Sequence, residues 1–290
     1  MNSAYIAEAR GWTVSRRYTN SDMPMLDSAG VPIHYKIAGE GPPIVLVHGF
    51  MSSMDSWVQT GWVDFLVARG RSVVRLDVRG HGRSGKPHEP TAYENSRMPD
   101  DVLAVMDALQ FEWVDLMGYS MGGGIALRLV ASHPDRLNSV ISGGAGLRLE
   151  PSDPQRNEAM AAALEADDLA AISDPAARFF RQFAEGRVQN SEGVVDTHPD
   201  LHAFAAITRR RGGTQTPEDV VAAIRHTPVR LLGVVGDKDP GLSEVQSLTE
   251  TAPDAQLVVV PGGDHLTTIP AAAYKGAVAT FLGLPTLDGR

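Results

Sequence analysis

The chain contains no cysteine, which removes disulfides, thiolate metal sites, iron–sulfur clusters and a cysteine nucleophile together. Any nucleophile must carry oxygen or nitrogen. Positive charge is also in short supply: 26 Lys and Arg stand against 35 Asp and Glu, a formal net charge of −9. An acidic chain repels phosphate backbones, so nucleic acid is not an expected partner. No apolar run approaches the roughly 20 residues of a membrane span. The opening stretch, MNSAYIAEARGWTVSRRY, has no apolar core of a secretion signal. The expectation is a cytoplasmic protein with no membrane partner. With 43% hydrophobic and 21% charged residues, the composition fits neither a disordered chain nor a coiled coil. A length of 290 residues leaves room for one large domain or two small ones.

From residue 43 onward, short apolar β-branched runs alternate with longer amphipathic stretches, the pattern of a parallel sheet with crossover helices. Strands are predicted at 43–47, 72–76, 114–117, 139–142, 229–235 and 256–260. Several are apolar throughout, as parallel strands buried on both faces are. Val102, Val105, Met106 and Leu109 share one helical face, and so do Tyr274, Val278 and Phe281. In the first 42 residues, Gly30, Gly39 and Gly41 and the alternating Ile33, Tyr35 and Ile37 predict antiparallel strands at a sheet edge.

The alternation breaks near 148 and resumes near 229. The division expected is a core of residues 1–147 and 229–290 with a helical lobe inserted at 148–228. Within the lobe, Ser152 or Asp153 before Pro154, Asp174 before Pro175, and Thr216-Pro-Glu-Asp219 are helix-start signals.

The sharpest local signal is Val-Asp-Leu-Met-Gly118-Tyr119-Ser120-Met121-Gly122-Gly123-Gly124. A Gly-x-Ser-x-Gly here joins the end of a buried strand to the start of an amphipathic helix. A serine in so tight a turn is strained, and only glycine on both sides lets the neighbouring backbone close in. The helix that follows aims the positive end of its dipole at Ser120 and at any oxyanion formed there.

In these residues and several others the chain resembles the α/β-hydrolase family, from about residue 30 to the carboxyl terminus. The resemblance implies an α/β-hydrolase fold, a mostly parallel central sheet flanked by helices, with the inserted segment as a cap. His48-Gly49-Phe50 is similar to the family's His-Gly-x, so Phe50 and Met121 are implied as the two backbone oxyanion donors. Asp77-Val-Arg-Gly-His-Gly-Arg-Ser84 is similar to a structural turn of the family, with His48 and His81 read as scaffold. Pro-Gly262-Gly263-Asp264-His265 follows the last strand, where the family keeps its catalytic histidine. Gly236-Asp237-Lys238-Asp239 offers two carboxylates; the family's usual spacing points to Asp239, with Asp237 as the alternative. Asp264 is too near His265 in sequence to orient it.

The implied catalytic set is Ser120, Asp239 and His265, in the chain order this fold imposes. A serine hydroxyl is a poor nucleophile and needs a base in reach and a buried acid to orient that base. The implied activity is hydrolysis of a small-molecule carboxylic ester or lactone with a small to medium, fairly apolar acyl group. Two alternatives stay open on the same fold: a cofactor-free perhydrolase or haloperoxidase-like enzyme, and a slow-turnover ligand receptor. Dehalogenases and epoxide hydrolases of this fold would carry aspartate at position 120. Carbon–carbon hydrolases tend to place more glycines after His48-Gly49.

In the lobe, Phe179, Phe180 and Phe183 on one predicted helix, and Phe204 and Ile207 on another, either wall an acyl pocket or seal the lobe to the core. Trp57 and Trp62 read as packing. His226, His133 and His34 have no matching loop context. His198-x-x-x-His202 lacks a third ligand, so no metal is expected. Arg209-Arg210-Arg211 reads as a solvated helix end, and no phosphate loop or dinucleotide fingerprint is present, so no cofactor is implied.

Overall fold

The computed structural model of the protein describes residues 24–94, 96–147, 153–168, 189–190, 193–194, 199–210 and 216–286. Its centre is an eight-stranded sheet of β1 (Met25–Ser28), β2 (Val31–Ala38), β3 (Pro43–Val47), β4 (Ser72–Leu76), β5 (Val114–Tyr119), β6 (Leu137–Gly143), β9 (Arg230–Gly236) and β10 (Ala255–Val260). The spatial order is β1-β2-β4-β3-β5-β6-β9-β10. From β4 to β10 every neighbouring pair is parallel, and β2 runs antiparallel to both β1 and β4. The expected edge hairpin and all six later strands are therefore present. This is the α/β-hydrolase fold.

Strict alternation along the strands divides the core into two layers. Val45 and Val47 of β3 face one layer with Val74, Leu116 and Val140, while Ile44 and Leu46 face the other with Met117, Ile141 and Val234. Helices α3 (Arg97–Ala108), α4 (Met121–Ser132) and α7 (Pro217–His226) cover the first face. The short α1 (Ser56–Gln59) and α2 (Trp62–Val67), with the carboxyl-terminal α9 (Ala272–Leu282), cover the second. Trp57 and Trp62 are packing residues in that layer, each nearly inaccessible and set edge to face. Tyr274, Val278 and Phe281 are all buried along α9. The remaining helix of the core, α8 (Leu242–Thr251), lies against β9 and β10.

The inserted segment carries one element besides the expected helices. A short antiparallel ladder, β7 (Gln189–Asn190) with β8 (Gly193–Val194), stands where only helix was predicted. Helix α7, inside the 148–228 span, buries Val220 and Ile224 in the main core, against α4 and α8. Helices α5 (Pro154–Glu165) and α6 (Leu201–Arg209) pack on each other, and their Ala161, Leu164, Phe204 and Ile207 are buried in the same core cluster. Two start signals work as expected. Asp153 accepts the Gln155 N–H at 2.9 Å, and Thr216 and Asp219 form a reciprocal capping box. Ser152, Asp174 and Pro175 lie outside the described residues. No helix among the described residues is long and apolar enough to cross a membrane.

The Asp77–Ser84 turn is a scaffold of buried polar groups. Asp77 accepts hydrogen bonds from Met54 N–H (2.9 Å), Arg83 N–H (3.0 Å) and the His34 imidazole (2.8 Å). Burial opposes its charge, but these bonds outweigh it and hold the carboxyl below the usual range. Ser84 donates to the Asp77 carbonyl and accepts from His34 N–H. Arg79 makes a two-point pair with Asp101 on α3, at 2.6 and 2.7 Å. His48 and His81 act as hydrogen-bond acceptors: Val78 N–H donates to His48 Nε2 (3.1 Å), and Met51 N–H donates to His81 Nε2 (3.0 Å). Both imidazoles are neutral. Burial depresses both, and with His48 beside it His81 is pushed down to about 3.

Two stability predictions follow from this packing. An added Cβ at Gly276 or Gly124 meets nothing within 4 Å, whereas at Gly122 it would stand 2.1 Å from the Val47 carbonyl oxygen. Gly276→Ala and Gly124→Ala should each stabilise by up to about 1 kcal/mol, read as a raised Tm. Gly122→Ala should leave little soluble folded protein. For His81 the unfolded state binds a proton below about pH 6.5 that the native state refuses down to about 3, so stability falls as pH falls through that window. The unfolding free energy should drop between pH 7.5 and 5, and His81→Gln should make that drop shallower by up to about 1.4 kcal/mol per pH unit, read by denaturant titration at each pH; an equal slope in both proteins would refute it.

Candidate active site

Ser120 occupies the single residue between β5 and α4, with φ 54° and ψ −116°. A non-glycine residue there is strained, and the strain persists because the surroundings over-determine it. A side chain at Gly118 would fall 2.1 Å from the Gly122 carbonyl oxygen, and one at Gly122 into the β3 backbone. Strand and helix thus touch through bare backbone on both sides of the serine. Ser120 N–H donates to the Gly143 carbonyl at 2.8 Å and its own carbonyl accepts from Gly124 N–H at 3.1 Å, fixing the turn at both ends.

The His48-Gly49-Phe50 turn leaves β3 beside this point: a Cβ on Gly49 would lie 3.4 Å from Ser120 Cβ and 4.0 Å from its Oγ. Neutral His48 stiffens the turn by donating from Nδ1 to the Gly49 carbonyl at 2.8 Å. The Phe50 ring stands edge-on to His81 (5.8 Å) and to Phe204 of α6 (5.3 Å). Met121 opens α4, and at that position its N–H has no intrahelical carbonyl to bond. Of the two implied oxyanion donors, Met121 follows Ser120 in the chain and Phe50 follows Gly49, which lies beside it.

His265 and Asp239 come from the turns after β10 and β9, which are adjacent strands of the sheet. Asp239 is 4% exposed and accepts from His265 Nδ1 through Oδ2 at 2.8 Å and from Gly241 N–H through Oδ1 at 2.8 Å. Asp237 is exposed to solvent. Of the two carboxylates left open by the sequence, Asp239 is the one in contact with the imidazole. With Nδ1 donating to a buried carboxylate, Nε2 of neutral His265 carries the lone pair, the tautomer a general base needs. The histidine loop is shaped by Asp264, whose Oδ1 accepts from Leu266 N–H (2.9 Å), Thr267 N–H (2.8 Å) and the Thr267 hydroxyl (2.9 Å). Those bonds, that from the Thr267 N–H first, hold its carboxyl below the usual range.

Other predicted residues fall elsewhere. Phe179, Phe180 and Phe183 lie outside the described residues, as do His198 and Arg211. Phe204 and Ile207 are 3% and 1% exposed; Phe204 packs on His81 and Phe50, and Ile207 on the Gly80 backbone. They seal α6 to the core. Arg209 is engaged by Glu158 and Glu165 across the lobe, a paired residue where a solvated end was expected. His202 lies beside His88, which pairs with Asp200 at 3.0 Å. Among the described residues no group of three His, Asp or Glu is arranged to hold a metal ion.

Sequence reasoning passed over Tyr119 and Thr268. Tyr119 is buried, and its hydroxyl donates to the His265 carbonyl at 2.7 Å. Thr268 is inaccessible and donates to the Asp264 carbonyl at 2.6 Å. The x of a Gly-x-Ser motif is unspecified, so Tyr119 offered no signal beyond its type. The Asp264-x-x-Thr267 spacing was a readable turn signal.

Comparison with known proteins gives concordant results. The family model described as alpha/beta hydrolase fold matches residues 42–272. The 2-hydroxymuconate semialdehyde hydrolase of Pseudomonas sp. (strain CF600) is 30% identical over 261 residues, covering 88% of this chain and 92% of its own. Among solved structures, the enol-lactonase from Burkholderia xenovorans LB400 superposes with a TM-score of 0.73 at 24% identity, covering 90% of this chain and all of that one. The bromoperoxidase from Bacillus anthracis gives 0.68 at 25% identity, covering 87% of this chain and 96% of that one. With the family model spanning most of its length, and with strands, turns and motif order in agreement, the chain belongs to the alpha/beta hydrolase fold family and is a hydrolase of it.

Proposed function

We propose that the protein is a serine hydrolase that cleaves small to medium, fairly apolar carboxylic esters or lactones through an acyl-enzyme. The observation that carries this reading is the His265 Nδ1 to Asp239 Oδ2 hydrogen bond of 2.8 Å, made by a buried carboxylate at the sheet edge that presents Ser120. In the proposed reaction His265 Nε2 takes the Ser120 proton as Oγ attacks the substrate carbonyl carbon. The N–H groups of Phe50 and Met121 bind the oxyanion, aided by the amino-terminal end of α4. His265, held as imidazolium by Asp239, then protonates the leaving alcohol as the tetrahedral intermediate collapses. A water deprotonated by the same Nε2 attacks the acyl-enzyme, and collapse of the second intermediate returns the proton to Ser120 and releases the acid.

The lobe of α5 and α6 is proposed to cap this site, because Phe204 of α6 packs on Phe50. An acyl wall from Phe179, Phe180 and Phe183 rests on the sequence pattern alone. One second reading has a specific observation behind it. The 30% identical relative is named for a semialdehyde in place of an ester, which favours hydrolysis of a carbon–carbon bond beside a carbonyl by the same three residues.

Hydrolysis of p-nitrophenyl esters from acetate to decanoate should exceed about 1 s⁻¹ for the best chain length and vanish in Ser120→Ala of unchanged circular dichroism. Retained activity in that variant would exclude Ser120 as nucleophile. Ester turnover far below that rate, together with Ser120-dependent cleavage of an unsaturated 1,5-diketone acid, would favour the second reading. Asp239→Asn should lower kcat by on the order of 10⁴ through the wrong histidine tautomer, while Asp237→Asn should change it little. The reverse ranking would move the acid by two residues.

A further inference from the structure

The His265 loop is anchored mainly to the strands that also carry Asp239. Asp237 N–H donates to the Val260 carbonyl and Lys238 N–H to the Gly263 carbonyl, so the turns after β9 and β10 move as one unit. Ser120 belongs to a different unit, the β5–α4 turn, separated from β9 by β6. A base and its orienting acid can be well paired and still miss the hydroxyl unless something ties the two units together. A side chain from β5 makes that tie. The Tyr119 hydroxyl donates to the His265 carbonyl at 2.7 Å, while its ring lies 5.4 Å from the imidazole.

The ring has little space to move. Tyr119 is 3% exposed and pairs with Gly143 in the sheet, where an added Cβ would come within 2.6 Å of its Cδ2. At Gly144, φ 58°, an added Cβ would lie 3.1 Å from the phenol oxygen and 3.0 Å from His265 Cε1. Only a residue without a side chain lets imidazole and phenol meet there. Burial, with Asp239 nearby, pushes the phenol far above its ordinary ionisation range, so it stays a donor wherever His265 is active as a base.

Resting on the serine-hydrolase reading above, we propose that Tyr119 is a positioning residue: its hydroxyl, bonded to the His265 carbonyl, locks the loop carrying the base onto the strand carrying the nucleophile. The residue next to the nucleophile thereby sets how the imidazole approaches Oγ. Since misplacing a reacting group by 1 Å can lose up to about 100-fold in rate, the loss falls on kcat. KM is spared because Tyr119 is buried beneath the loop.

The test is Tyr119→Phe, which removes one oxygen and keeps the ring. Expected is a kcat lowered about tenfold or more with KM within about twofold, and an equal drop in the rate at which a fluorophosphonate labels Ser120. In a His265→Ala background the same substitution should lower the labelling rate no further, because the hydroxyl acts through His265. Tyr93→Phe is the control. It removes another buried phenol bonded to a backbone carbonyl, that of Pro87 at 2.6 Å, and should lose stability without losing kcat. Undiminished kcat in Tyr119→Phe, the same loss in Tyr93→Phe, or an undiminished effect without His265 would each overturn the proposal. Should Tyr119→Phe not fold, Gly144→Ala crowds the phenol oxygen at 3.1 Å and the imidazole at 3.0 Å, and an unchanged kcat there would overturn it too. Failure of the fluorophosphonate to label wild-type Ser120 is a separate outcome; it would bring down the serine-hydrolase reading and this proposal with it.

Discussion

The β5–α4 turn is the constraint around which the rest of this structure is arranged, because three pieces of backbone meet there with no space for a side chain. Gly118 lies against Gly122, Gly122 against the carbonyls of Val47 and His48, and Ser120 between them is held at a positive φ. A strained conformation of this kind is worth roughly 1–3 kcal/mol, and something must oppose its relaxation. Here it is opposed by the Gly143 carbonyl on one side, the first turn of α4 on the other, and the buried sheet beneath. Everything the site needs from other strands is brought to this point by the parallel order of β3, β5, β6, β9 and β10, whose carboxyl ends share one edge.

Polar burial near the site has two distinct forms. Around the Asp77 turn it is structural: neutral His48 and His81 accept backbone N–H bonds, and Arg79 with Asp101 joins the turn to α3. None of these groups gains by changing its charge, and burial keeps the two histidines from doing so. The network holds the His48-Gly49-Phe50 turn against Ser120 and gives α6 a surface on which Phe204 and Ile207 can dock. Around Asp239 the burial is one-sided: the carboxylate is covered and the imidazole it binds is about one-third exposed. A covered acid beneath an accessible base is a sound arrangement for proton transfer with a ligand. Two buried groups would be sound only as scaffold.

Much of this was readable in the chain because it depends on local rules. Buried parallel strands show as unbroken β-branched runs at 43–47, 72–76 and 229–235, and the elbow shows as glycines bracketing Ser120 where a strand ends. Thr216 and Asp219 announced their capping box by spacing alone. Where reading failed, the deciding partner lay far away in sequence. Nothing near Val220 or Ile224 indicates that their helix packs against α4 and α8, since an amphipathic face looks the same whatever its partner is. Arg209 looked solvated because its partners, Glu158 and Glu165, are more than 40 residues distant.

The sequence by itself determined the buried strand runs, the glycine-bracketed turn and the motifs of the family, and through that resemblance it pointed to Ser120, His265 and a pair of carboxylates, Asp239 and Asp237. The runs, the turn and the motifs follow from residue type, period and turn chemistry, which act over a few positions. Only the tertiary structure decided that Asp239 is buried on the imidazole while Asp237 faces water, that Phe204 and Ile207 seal α6 to the core, and that Tyr119 reaches across to the His265 carbonyl. Those outcomes depend on which turns the sheet brings together and on which groups lose their water there. Both are properties of the assembled layers, and no window of sequence contains them.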